Sequence, residues 1–358
     1  MTSHILGRNA FAIGASAVLA AVLGGAGTAA AQELNALVWC DHTDPALIEP
    51  FEQQHGVKVN LKEYEGTGAA LAIVEQSQPG DWDVFVIDGV DVPRVVEAGL
   101  LAELPADQLP LDDIFEQVQM TDVTHKDGKM YAIMEKFGYN VVSYNKSKVD
   151  PADMRDLSTL WSDKYKGRIA VYDYYIPLMD LVALKMGMKP SDITADRLPA
   201  MKEELFKLKE NSAMVGEVVS STTALATGEA DILLGGGEWA TAVMQAENPD
   251  LEWVLPDQGG ILWAQSLAVF KDSKNKDLAL KFVQYIMSPE GQARLATSSC
   301  FWGMPANKKA GAALTDGQKA TLRWDEQESF LAKSYRYFIP DADLDAKMLD
   351  VWTEFLQH

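Results

Sequence analysis

Histidine is scarce and scattered in this sequence: His4, His42, His55, His125 and His358 are the full set, and no two stand at metal-sharing spacing. Phosphate-loop, nucleophile-elbow and dinucleotide patterns are also missing, since Gly235-Gly236-Gly237 lacks both the spacing and the lysine that phosphate loops use. Among enzymes these absences leave only a carboxylate-pair hydrolase in view, and the chain is expected to be a binding protein with no metal and no cofactor. Positive charge is short as well, with 31 Lys and Arg against 52 Asp and Glu, a net charge of −21. So acidic a chain repels nucleic acid and anionic lipid, and its general field favours cationic solutes only weakly. There is no low-complexity tract and no repeat of fixed period. Cysteine is limited to Cys40 and Cys300, which fit either one disulfide in an exported chain or two buried thiols.

What is present begins with a leader pattern. Met1 to Arg8 carries one positive charge, Asn9 to Gly27 is an uncharged run of Ala, Gly, Val and Leu, and Ala29-Ala30-Ala31 supplies small residues before Gln32. A basic start, an apolar run too glycine-rich for a good membrane span and an Ala-x-Ala site describe a secretory signal peptide over residues 1–31. Cys40 lies nine positions past Ala31, too far for a lipid-anchored form. The roughly 327 residues that follow exceed what one hydrophobic core usually organises, so two lobes are expected.

Leu34 to Trp39 reads as a strand, Asp44-Pro45 opens a helical pattern ending at Gly56, and Val57 to Leu61 alternates as a second strand. A helix fits Gly68 to Ser77, and Trp82 to Ile87 is a nearly continuous apolar strand ending at Asp88-Gly89. This strand and helix alternation is the signature of a parallel sheet covered by helices. A second unit begins near Gly138: Tyr139 to Asn145 reads as an extended crossing segment, followed by strands at Arg168–Tyr172 and Asp231–Leu234 and a helix from Pro177 to Met186. Ile261 to Phe270 is again extended and would carry the chain back, making two discontinuous lobes with a cleft between them.

In open α/β sheets ligands sit beyond the carboxyl ends of the strands. Those positions are rich in aromatic and acidic residues here: Trp39 to Asp41, Asp88, Tyr172 to Tyr175, Glu238-Trp239, Trp263 and Phe301-Trp302. Their clustering points to a binding cleft.

At these residues the sequence resembles the spermidine/putrescine-binding proteins of bacterial polyamine importers. The matching pieces are Val38-Trp39, Tyr165-Lys166-Gly167, the segment Gly259 to Ala268, Lys274-Asn275-Lys276-Asp277 leading into Ala279 to Phe282, Ser288-Pro289-Glu290 and Pro305-Ala306-Asn307. The resemblance implies an α/β, two-lobed periplasmic binding protein fold, each lobe a mostly parallel sheet flanked by helices, joined by crossing hinge segments. It also implies a periplasmic monomer whose ligand-closed form is presented to the transmembrane subunits of an ABC permease. By the family pattern, residues 34–138 plus 262–307 form lobe 1 and residues 139–261 plus 308–358 form lobe 2.

Polyamine recognition needs carboxylates for the ammonium ends and aromatic walls for the methylene chain, a cation over an aromatic face gaining about 0.5–2 kcal/mol. Trp39 and Trp263 stand where the family has its walls. The acids depart from the pattern: Gln265 takes the place of a carboxylate two positions after Trp263, Tyr174 and Pro177 stand where acids are expected, and Asp173 lies beside Tyr174. The candidate replacements are Asp41, Asp88, Asp173 and Glu238, with Trp239 and Trp302 completing the aromatic set. If these acids do not converge, the aromatic residues would instead box a quaternary ammonium or a zwitterion with one cationic end, its carboxylate met by Lys136 or by Ser220, Ser221 and Thr222.

Overall fold

The computed structural model describes residues 32–358; the leader pattern lies outside the described residues. The strands that position the site are β1 (Gln32–Val38), β2 (Val57–Glu63), β3 (Val84–Asp88), β4 (Ile133–Asn145), β5 (Ile169–Tyr172), β6 (Ser212–Gly216), β7 (Ile232–Gly236), β8 (Leu251–Val254), β9 (Ile261–Val269), β10 (Met304–Pro305) and β11 (Tyr335–Arg336). They follow the order β2-β1-β3-β9-β4-β7-β5-β6, with β8 and β10 also on β4 and β11 on β9.

Two parallel blocks, β2-β1-β3 and β7-β5-β6, flank the antiparallel pair β9 and β4. Strand β4 belongs to both: Ile133 to Asn140 pairs with β9, and Val141 to Tyr144 pairs with β7. Period-two alternation then divides each block's side chains between two faces. In β1 and β3, Leu34, Ala36, Val38, Val84 and Val86 enter one core while Leu37, Phe85 and Ile87 enter another. In β5 and β7, Ile169, Val171, Ile232 and Leu234 face the helical layer of Leu178, Met201, Leu205 and Phe355, and Ala170 and Leu233 face Leu225 and Ala240. Each block is therefore a sheet covered on both sides, which is why its strands read as apolar runs.

The helix starting at Pro45 ends at His55, with Asp44 capping the Ala46 amide and Gly56 in the left-handed C-cap conformation. Towards the end of the chain, Leu314, Leu322, Phe330 and Leu331 pack into the core of Leu34, Val38 and Val84, the first core, whereas Met348, Val351, Trp352 and Phe355 pack into that of Ile169, Leu178 and Leu205, the second. Between them β11 runs parallel to the start of β9, a third crossing that the sequence pattern did not announce. No helix among the described residues is long and apolar enough to cross a membrane.

Candidate functional site

The carboxyl ends of β1, β3, β5 and β7 place Trp39, Asp88, Asp173-Tyr174 and Glu238-Trp239 around the crossing strands. Register adds the rest. Gln265 of β9 lies opposite Asp88 on one side and Lys136 of β4 on the other, and Trp263 lies opposite Gly138. Directly paired residues share a face, so Asp88, Gln265 and Lys136 form one row across three strands.

Cys40 and Cys300 form a disulfide with Cα atoms 5.9 Å apart, settling the alternative left open by the sequence. The bridge ties the turn carrying Trp39 and Asp41 to the loop carrying Phe301 and Trp302. Trp39 is half-buried, 5.7 Å from Tyr64 between ring centroids; Trp263 is half-buried, 6.0 Å from Phe301; and Trp302 packs on the first core. Trp39 thus adjoins one half of the disulfide, and Trp263 packs against the residue that follows the other half.

Asp41 is wholly buried, and both its oxygens are occupied. Oδ1 accepts from His42 Nδ1 at 2.8 Å and Oδ2 accepts from Lys136 Nζ at 2.8 Å. His42 reaches Glu135 through Nε2 at 3.1 Å, and Lys136 also donates to the Phe301 carbonyl at 3.0 Å, with its Nζ 4.0 Å from the centre of the Phe301 ring. Burial opposes charge on every member, yet Glu135 and Asp41 hold the His42 proton so firmly that its pKa rises to about 10. Burial also pulls at the Asp41 carboxyl, but Lys136 and His42 keep it well below the usual carboxylate range. Burial raises Glu135 and lowers the Lys136 ammonium, with His42 and Asp41 opposing the two shifts. The quartet joins two acids to two bases, with Glu135 Oε1 left without a hydrogen bond. Because Asp41 and Glu135 sit on opposite nitrogens of one imidazole, they do not converge on one metal ion.

Asp88 differs. It is half-buried, no hydrogen bond or ion pair among the described residues engages its carboxylate, and burial together with Asp91 and Asp41 pushes its pKa up to about 7. Burial and then the Asp88 charge raise the phenols of Tyr64, Tyr172 and Tyr174, and the Asp88 field also reaches Tyr337. Tyr172 lies 5.9 Å from Tyr174 and 5.4 Å from Trp239, and Tyr174 lies 5.8 Å from Tyr337, all between ring centroids. The Asp88 carboxylate at the end of β3 thus acts electrostatically on Tyr172, which ends β5, on Tyr174 just past it, and on Tyr337, which follows β11.

The other acids have partners. Asp173 Oδ1 accepts from the Trp352 indole at 3.1 Å, turning it toward the last helix. Glu238 is fully buried and accepts from the Tyr139 amide at 3.2 Å, and burial pushes its pKa up to about 8, so it is mostly a neutral acid at pH 7. Ser220, Ser221 and Thr222 lie within the helix Val218–Thr227 and return their hydroxyls to its own carbonyls and that of Glu217. Lys136 is committed to Asp41. Of the seven buried side-chain polar atoms without a hydrogen-bond partner among the described residues, four belong to this set, the Nε1 of Trp39, Trp239 and Trp263 and the Oε1 of Gln265; the others are Thr67 Oγ1, Glu135 Oε1 and Asp180 Oδ1. Buried polar atoms are ordinarily satisfied, and their concentration here marks a place where a solute or water completes the structure.

Sequence reasoning missed Tyr64, Tyr337, Glu135 and His42. Tyr337 had a signal in the alternation Tyr335-Arg336-Tyr337; His42 and Glu135 had none, since only folding brings them together.

A sheet split into two covered blocks, joined by crossing strands and with its polar and aromatic groups gathered at the strand ends, defines a two-lobed solute-binding protein. The chain belongs to the family of bacterial extracellular solute-binding proteins, whose model matches residues 46–321. It is similar to the spermidine/putrescine-binding periplasmic protein of Escherichia coli, 25% identical over 296 residues and covering 82% of this chain and 81% of the relative. It is also similar to a putrescine/cadaverine-binding protein of Pseudomonas aeruginosa, 25% identical over 292 residues, 78% and 81% of the two chains. Among solved structures, a spermidine/putrescine ABC transporter substrate-binding protein from Streptococcus pneumoniae shares the fold, with a TM-score of 0.79 at 19% identity over 91% of this chain and 99% of that one.

Proposed function

We propose that this protein is the periplasmic receptor of an ABC importer of the polyamine type, which captures a small cationic amine in the cleft and hands it to the permease's transmembrane subunits. It acts as a monomer and binds rather than transforms its solute. The leader over residues 1–31 would export it, and the Cys40–Cys300 disulfide suits an oxidising compartment. The lobe limits we propose are 34–138 plus 262–307 and 139–261 plus 308–358, amended by assigning residues 308–333 to the first lobe because their apolar side chains pack there.

The observation that carries this reading is Asp88: a carboxylate at a strand end with no hydrogen bond or ion pair among the described residues, whose charge acts on Tyr172, Tyr174 and Tyr337. A cation docked there gains a counter-ion and aromatic faces together. The test is calorimetry with a panel of monoamines, diamines, polyamines, gamma-amino acids and betaines on the wild type and on Asp88→Asn. Removing the counter-ion should weaken the best amine by roughly 100-fold, in keeping with about 2–5 kcal/mol for a buried charge pair. An unchanged affinity in the variant removes the reading.

A second reading concerns the ligand's other end. The unpartnered indole N–H groups of Trp239 and Trp263 can donate but not accept, which favours a zwitterion whose carboxylate would meet them.

A further inference from the structure

Lys136 is the one buried lysine among the described residues, on a strand that crosses between the two blocks. Its ammonium has a carboxylate oxygen at 2.8 Å, a backbone carbonyl at 3.0 Å and an aromatic ring centre at 4.0 Å. Charge, acceptor and ring face are what a site for a free alkylammonium would need. The stem is accommodated too: a Cβ at Gly303 would stand 2.7 Å from Lys136 Cε, so a glycine there keeps the space the side chain fills. Across the sheet, Lys136 and Asp88 are separated by Gln265 alone, a span of about 10 Å at cross-strand spacing. Gln265 has a buried unpartnered oxygen and no charge.

We propose that Lys136 is a built-in occupant of a second ammonium subsite, formed by Asp41, the Phe301 carbonyl and the Phe301 ring, and so restricts the protein to solutes with a single cationic end. The idea rests on the reading of Asp88 as the ligand's counter-ion, which remains the one open cation position in the row. A diamine would bring a second ammonium to a site where the chain's own ammonium already sits, and Gln265 would leave it no alternative anion. The lysine thus sets specificity by occupancy, and Asp41, although it neighbours the cleft residue Trp39, does not add to ligand charge recognition.

The experiment separates this from the Asp88 reading by working in the Asp88→Asn background. Lys136→Ala removes the equivalent of a propylammonium, so D88N/K136A should bind n-propylamine at least about tenfold more tightly than D88N alone, read by thermal shift and calorimetry. Equal binding by the two variants overturns the proposal, whatever happens to the Asp88 reading. The unaltered protein provides a second measurement that does not depend on the variant folding, the comparison of n-butylamine with putrescine. A ratio below about tenfold supports an already filled subsite, and a preference for putrescine of about tenfold or more overturns it.

Discussion

Asp41 and Asp88 lie at the ends of neighbouring strands, and their environments send them in opposite directions. Asp41 meets two cations and stays ionised; Asp88 meets burial and two other acids, and its pKa rises to about 7. On the proposed reading a cation would bind the ionised form of Asp88, so its affinity should climb as pH rises through 7, by about tenfold between pH 6 and pH 8, and then level off. Binding should also release a proton near neutrality, which calorimetry in buffers of different ionisation enthalpy would detect. Glu238, with a pKa of about 8, titrates nearby, and the Asp88→Asn variant separates the two. If the variant loses affinity yet keeps the full pH slope, Asp88 is not the titrating group. The same shift has a folding consequence of opposite sense. A carboxyl with a pKa raised above its unfolded value near 4 holds its proton more tightly when folded, so the unliganded protein loses stability as pH rises from about 4 to 7. Asp88 therefore stores at neutral pH an electrostatic penalty that the proposed cationic solute would relieve.

Strand β4 shows best what could and could not be seen beforehand. Its second half, Tyr139 to Asn145, reads as extended, as do β1, β3 and β9, whose apolar runs reflect sheets covered on both faces, while β2 reads as alternating. Its first half contains Glu135 and Lys136, and two adjacent charges argue against a fully buried strand until Asp41 and His42 are seen to neutralise them. That compensation arises from residues nearly a hundred positions away, so no local pattern reports it. The candidate cleft residues were legible as strand-end positions, because topology dictates where the ends gather; which carboxylate lacks a partner among the described residues was not, because it depends on partners such as Trp352 for Asp173. Gly138 is where the strand is most constrained. A Cβ there would lie 1.7 Å from Glu238 Oε1 and 2.5 Å from the Trp263 ring, two residues before β4 passes from β9 to β7. Gly138→Ala should cost about 1–3 kcal/mol by overpacking and should displace Trp263 and Glu238 together. Unfolding curves and intrinsic tryptophan fluorescence would register both effects, and a variant with unaltered melting and ligand affinity would show that the crossing tolerates expansion.

The Cys40–Cys300 bridge spans 260 positions of sequence, so it restrains the unfolded chain over most of its length. Chain-entropy arguments assign such a closure up to about 5 kcal/mol. Its native role is more local. It joins the turn bearing Asp41 to the loop bearing Phe301, the two sides that hold the Lys136 ammonium, with Trp39 next to Cys40 and Trp263 packed near Phe301. Reduction should therefore act twice: global stability should fall by several kcal/mol, and amine affinity should fall as the row from Asp88 to Lys136 loses its fixed neighbour. Cys40→Ser/Cys300→Ser, followed by urea unfolding and amine titration, measures both without exposing the protein to reductant. Loss of stability with intact affinity would mean that packing of the first core alone fixes the cleft floor; loss of both would make the disulfide part of the binding site's rigidity, coupling export into an oxidising compartment to the maturation of a working receptor.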